Sequence, residues 1–315
     1  MYKYYKKDEY NVMYQYFDSI TEYLNYLDNT PIANGFQNYD LSSEDTDYDW
    51  YKTNSLNEAK ELIKYGYNEN FDRFLELKLK LEKYIKFSVK KNKQYNYYVG
   101  YAPDVKAYLE GNPLSMLNKE KEMRKQIDIY FNIACACYTD NNQIFNRGVI
   151  TLSLIEVLES LGFNVNLNLF EIAYCDEQLI YFVWNFKNIQ ERSNVRKLYF
   201  PMCHPSFLRR LSFRLREETK DIKSSWRYGY GRPGDDSLVR KIIDLKENDI
   251  VISQPSEMGI SGIDLIDDAN NMYDIINRKT NIEDFELKKI LKKWKKRLTN
   301  CLVINIMLVT AEKTV

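Results

Sequence analysis

The stretch "IDIYFNIACACYTDNNQIFNRGVITLSLIEVLESLGFNVNL", residues 127 to 167, constrains the fold more than any other part of the chain. A β-rich, mostly apolar run from Ile127 to Tyr138 meets a polar turn. A helical pattern then covers 142–161, with Ile144, Val149, Leu152, Ile155 and Leu158 turned inward and Gly162 closing it. An apolar run of that kind suits a strand covered on both faces. "FNVNLNLFEIAY" alternates as a strand does, and "QLIYFVWNF" follows after a "CDE" connection short enough to favour an antiparallel neighbour. Downstream come a helix around 206–218, a polar loop "SSWRYGYGRPGDD", a short helix from Leu238, a strand "DIVIS" ending at Ser253, and a helix from about Ile263 to Asn277. This is an α/β order, whose functional loops belong at the carboxyl ends of the first and fourth strands.

The chain before this unit reads as helical. "SITEYLNYL" opens with Ser19 and Glu22 in capping-box spacing, and "SLNEAKELIKYG" repeats the device with Ser55 and Glu58 before ending at Gly66. "NFDRFLELKLKLEKYIKF" is a third helix, and "YAPDVKAYLEGNP" a short one opened by Pro and closed by Gly. The expected organisation is a helical amino-terminal region over 1–120, an α/β domain over 121–277, and a tail over 278–315. In the tail, Leu287, Ile290, Leu291, Trp294 and Leu298 share one helical face, opposite Lys288, Lys289, Lys292, Lys293, Lys295, Lys296 and Arg297. That helix suits a membrane surface, a nucleic acid, an acidic partner or simple docking through Trp294. "CLVINIMLV" after it offers one more strand.

Composition removes several classes of function. The 315 residues are 44% hydrophobic, enough for a sizeable core, and 45 basic residues balance 45 acidic ones, so net charge signals no general polyanion binding. Five cysteines at 135, 137, 175, 203 and 301 form no CxxC pair and read as reduced thiols, with neither a disulfide framework nor a zinc site. "MYKYYKKDEY" has no apolar signal core, and "CLVINIMLV" is too short to span a bilayer. The expectation is a soluble, intracellular protein. No GxxxxGK[ST] occurs, and a single histidine, His204, excludes a histidine-rich metal centre.

Three features remain as candidate sites. "FNRG" puts Asn146, Arg147 and Gly148 near the start of the long helix, where an anion or a partner's carboxylate is favoured, unless Arg147 pairs with Asp140 or another local acid. His204 lies beside Cys203 just before a helix, a position that suits a cap or turn better than a nucleophile pair. From Arg209 to Asp236, Arg209, Arg210, Arg214, Arg216, Arg227 and Arg232 interleave with Phe213, Trp226, Tyr228 and Tyr230. Arginines among aromatics clamp phosphates and stack bases, and they equally anchor protein interfaces. The acids Asp140, Glu257 and Asp264 are scattered, with no spacing that defines an acid/base pair.

The order of elements and the long helix after the first strand resemble the von Willebrand A-like fold. In that family a metal-ion-dependent adhesion site follows the first strand as Asp-x-Ser-x-Ser. Here the matching positions are Asn132, Ala134 and Ala136, and "ISQPSEMG" after the fourth strand offers Ser253, Gln254 and Ser256 but no Asp. The resemblance therefore implies the core without its metal, and small residues in "NIACAC" suit close packing of the long helix. The stretches "WYKTNSLNEAKELIKYG", "YAPDVKAYLEGNPLSM" and "FNRG" also resemble a phage-encoded family of unknown function over roughly residues 15 to 277. That resemblance implies a phage or prophage origin, with work in the bacterial host cytoplasm, and carries no activity over to this chain. The expected fold is thus a von Willebrand A-like, Rossmann-type, mostly parallel sheet with one antiparallel strand, plus the helical amino-terminal region. The expected function is non-enzymatic and without cofactor or metal. It rests on contact with a protein partner, in assembly or counter-defence, through Arg147, Ser253, Gln254 and Ser256 at the sheet end and Trp226, Arg227, Tyr228 and Arg232 in the loop. Nucleic-acid binding through the loop and the basic tail is the alternative.

Overall fold

The computed structural model describes residues 3–32, 48–68, 70–84, 94–99, 102–119, 125–175, 178–219, 230 and 232–279. A hairpin of β1 (Lys3–Lys7) and β2 (Tyr10–Phe17) leads into α1 (Ile20–Asn29), α2 (Tyr48–Tyr51), α3 (Leu56–Tyr65) and α4 (Phe71–Tyr84). A small unit follows: β3 (Gln94–Tyr97), β4 (Ala102–Pro103), α5 (Val105–Leu109) and β5 (Met116–Lys119). Then come β6 (Gln126–Asn132), α6 (Asn141–Ser160), β7 (Asn164–Cys175), β8 (Gln178–Lys187) and α7 (Val195–Cys203). A π-helical turn, Phe207–Ser212, runs into α8 (Phe213–Glu218). The described chain closes with β9 (Arg232–Pro233), α9 (Asp236–Ile242), β10 (Ile250–Ile252), a 3-10 turn Pro255–Met258 and α10 (Leu265–Lys279). The basic helix and apolar run expected after residue 280, and Trp226, Arg227 and Tyr228, lie outside the described residues.

The large sheet has the order β1-β2-β8-β7-β6-β10, with β9 beside β7. In its body, β2/β8, β7/β6 and β6/β10 are parallel and β7/β8 is antiparallel. At its margins β1 and β9 are also antiparallel to their neighbours, so the antiparallel component exceeds the single strand expected. The amino-terminal region also departs from the all-helical expectation. Its caps form at the expected residues, with the Glu22 N–H on Ser19 Oγ at 3.1 Å and the Glu58 N–H on Ser55 Oγ at 3.1 Å, while each glutamate side chain accepts the N–H one residue before the cap, that of Asp18 and of Asn54. Yet two of its strands extend the large sheet and three make a separate small one. β2 pairs with β8, which is buried on both faces, so Val12 and Met13 are both covered and the usual alternation is lost. The β1–β2 turn uses Asp8 at φ +54°, with none of the Asn-Gly or Asp-Gly signals that mark a hairpin in sequence.

One face of the large sheet, including Met13, Ile129, Phe131, Leu169, Phe182 and Trp184, packs under α1, α3, α6, α7 and α8 in the main core. The other face, with Val12, Phe170, Ile172, Tyr181 and Val251, packs under Leu238, Val239 and Ile242 of α9. Helix α6 is buried almost all round: from Ile144 to Leu158 only Glu156 is not fully covered. It is therefore a central helix of the core rather than an amphipathic one on a surface. Among the described residues no helix is long and apolar enough to cross a membrane.

Candidate functional site

The ends of β6 and β10 lie side by side, with Ile252 opposite Phe131. Asn132, at the position matching the family Asp, is wholly buried, and its side-chain oxygen accepts the Ala134 N–H at 2.9 Å. It thus turns the loop on itself. Ala134 is buried, Cys135 half-buried and Cys137 exposed. Asp140 closes the loop by capping α6: it accepts the Asn142 N–H at 2.7 Å while Gln143 accepts the Asp140 N–H at 3.0 Å. Its carboxylate is thereby engaged in the cap, and the local Arg147–Asp140 pair is not formed among the described ion pairs.

The last three residues of "FNRG" instead tie α6 to three different neighbours. Asn146 donates to Asp268 of α10 at 2.9 Å, and that buried carboxylate also accepts the Ser261 N–H at 2.6 Å and the Gly262 N–H at 3.0 Å. Arg147, 1% exposed, donates from Nη1 to the Ser253 carbonyl at 2.9 Å and lies 4.4 Å from the Phe131 ring centroid. Gly148 faces α7 so closely that a Cβ there would stand 2.5 Å from the Met202 carbonyl oxygen and against Cys203 Sγ. A small residue is thus required at the crossing of α6 and α7.

After β10, Ser253 is buried and donates to Asp236, which also accepts from Arg240 at 2.9 Å and Lys279 at 2.9 Å. An aspartate does reach this loop, then, but from the start of α9 rather than from "ISQPSEMG". Burial alone would raise the Asp236 pKa, and the bonds from Ser253, Lys279 and Arg240 outweigh it and hold the group below the usual range. Glu257 accepts the Asp236 N–H at 2.7 Å, Gln254 is half-buried and Ser256 exposed. Asp264 caps α10 through the Ile266 and Asp267 N–H groups, so the scattered acids serve separate local roles.

His204 ends α7, with Nδ1 accepting the Ser206 N–H at 3.2 Å, the turn role its position suggested. Burial and the neighbouring Arg209 push its pKa down to about 3, so the ring is neutral. Of the arginine-rich stretch, Arg209, Arg210 and Arg216 are buried and turned inward. Arg209 donates to the Trp50 carbonyl at 2.5 Å and the Thr139 carbonyl at 3.0 Å; Arg210 donates to the Thr53 carbonyl at 2.9 Å. Arg216 and Ser212 both donate to Glu171, buried in the middle of β7. Arg214 donates to Glu218 at 2.6 Å, while Tyr230 stacks on Phe213 with ring centroids 4.0 Å apart and bonds Glu217. Arg232 is exposed.

Exposed large apolar residues that lie close together in the chain are elsewhere. In the small unit, Tyr98, Val99, Val105, Tyr108 and Leu109 are exposed, the last two at 70% and 78%, and Ala107 is the buried hydrophobic of α5. The sequence showed α5 as a short capped helix, with Asp104 accepting the Lys106 and Ala107 N–H groups, but nothing in it marked its apolar side as bare.

The metal implied by a von Willebrand A-like core does not fit this donor set. The Asn132 oxygen is already engaged, positions 134 and 136 carry methyl groups, and the charged group between the strand ends is a guanidinium. Among the described residues no group of three or more His, Cys, Asp or Glu is placed to hold a metal ion. Residues 4–280 match the model of a domain of unknown function, DUF7192, and the chain belongs to that family. No curated protein and no solved structure matches it.

Proposed function

We propose that this member of the DUF7192 family is a binding protein that acts by protein contact, built on a von Willebrand A-like core that works without the adhesion-site metal. The sheet order β8-β7-β6-β10, with β8 antiparallel to β7 and the long α6 following β6, supports that core. The contact reading is carried by one observation: Tyr98, Val99, Val105, Tyr108 and Leu109, close together in the chain on one small unit, are each exposed. Scattered apolar side chains need no explanation, but a group of large ones marks a surface that is covered in use. The setting this reading supposes is a phage protein at work in bacterial host cytoplasm, in assembly or counter-defence.

The test is affinity capture of the tagged full chain from phage-infected cells, with and without nuclease, beside a variant carrying Tyr108→Ser and Leu109→Ser. The expected result is a protein partner that survives nuclease and is lost with the double variant. Recovery of nucleic acid alone, removed by nuclease, would replace this reading with nucleic-acid binding. A protein partner indifferent to the double change would move the contact surface away from α5.

A further inference from the structure

Arg147 is a buried cation with no anion beside it. Among the described residues no carboxylate lies within ion-pair distance, and its Nε has no hydrogen-bond partner. The acids on neighbouring elements are engaged elsewhere: Asp140 with the α6 cap, Asp268 with Asn146, Ser261 and Gly262, Asp236 with Ser253, Arg240 and Lys279. The ionisable groups that could offset its charge are the thiols of Cys135 and Cys203. Burial pushes both thiols up, so neither is a thiolate at neutral pH. Arg209 adds a second positive charge to the surroundings of Cys135, and His204 is neutral. A buried guanidinium without a counter-charge costs several kcal/mol, which one carbonyl and one aromatic face offset only in part.

Beside it lies a pocket with room for about one water-sized particle. Arg147, Cys135 and His204 line it together with Phe131, Ile144 and Leu208. A neutral water there would leave the charge of Arg147 uncompensated, whereas a compact anion would be paired with the guanidinium, which is the condition for burying either charge. We propose that this pocket binds a small monovalent anion of halide size, with Arg147 as its counter-charge. A divalent oxyanion is too large for the space and too strongly hydrated for the walls. The inference stands apart from the contact reading, since the site involves none of residues 98–109.

The experiment compares thermal unfolding of the full chain in sodium chloride, sodium bromide and sodium gluconate at equal ionic strength. The halides should raise the midpoint above gluconate by about 2 °C or more, in a saturating manner. Arg147→Met, which removes the charge, and Ile144→Phe, which fills the pocket and keeps the charge, should each abolish the difference. Equal midpoints in all three salts for the unaltered protein would overturn the proposal, as would a halide effect that persists in both variants. If neither variant folds, bromide NMR line broadening on the unaltered chain decides the matter. Broadening that chloride competes away is expected, and its absence would overturn the proposal.

Discussion

The carboxyl end of the large sheet and the small unit over residues 94–119 present opposite surfaces. At the sheet end, polar side chains are turned inward and bonded to the chain itself: Asn132 to its own loop, Asn146 to Asp268, Arg147 to Ser253, Ser253 to Asp236. In the small unit, apolar side chains are turned outward, and Ala107 is its buried hydrophobic anchor in α5. The sheet end has the sequence of a site and behaves as architecture. The small unit has the sequence of an ordinary short helix and offers the surface. A polar motif thus points to function only where its groups are left over after the fold has used them, and in "FNRG" little is left over beyond the charge of Arg147.

The largest test of the contrast is Gly148→Ala. The new methyl would meet the Met202 carbonyl at 2.5 Å, so α7 must shift on α6. The expected loss is about 3 kcal/mol in denaturant unfolding, or about 6–12 °C in the midpoint. A loss below about 1 kcal/mol would mean the crossing yields easily, and the sheet end would no longer count as closed.

A pH effect of intermediate size should belong to the body. Burial raises the Glu218 carboxyl from its ordinary 4.5 to about 7, against the pull of Arg214. Because the folded pKa lies above the unfolded one, its stabilising contribution is complete below about pH 4.5 and is lost as pH rises through about 7. The unaltered protein should therefore gain stability relative to Glu218→Gln as pH falls from neutrality toward 5. Asp249, raised to about 6 mainly by burial, acts in the same direction but is present in both proteins and cancels. A constant difference between the two across this range would remove Glu218 as the source.

The smallest effect on stability sharpens the comparison from the other side. Tyr108→Ser with Leu109→Ser should change unfolding free energy by no more than about 0.5 kcal/mol per site. A much larger loss would show that these side chains support the fold and that the small unit is not the open region.

What the sequence determined by itself was everything held by neighbours along the chain. The caps at Ser19 and Ser55, the helix over 141–160 and the antiparallel β7–β8 pair after its short turn rest on contacts close in the chain, so their signals are local, and the strand before Ser253 shows in its own apolar run although its partner is the distant β6. The place of β2 was decided elsewhere, by β8 more than 150 residues away in the chain. So was the inward turn of Arg209, Arg210 and Arg216, because a charged residue reads as solvent-facing until its distant acceptors at Trp50, Thr53 and Glu171 are known. Gly148 could be read as small, but not as the point where α7 arrives. Periodicity gives each helix a face, and only tertiary packing decides what covers that face. That is why the closed end of the large sheet and the bare side of α5 both became visible only in the folded chain.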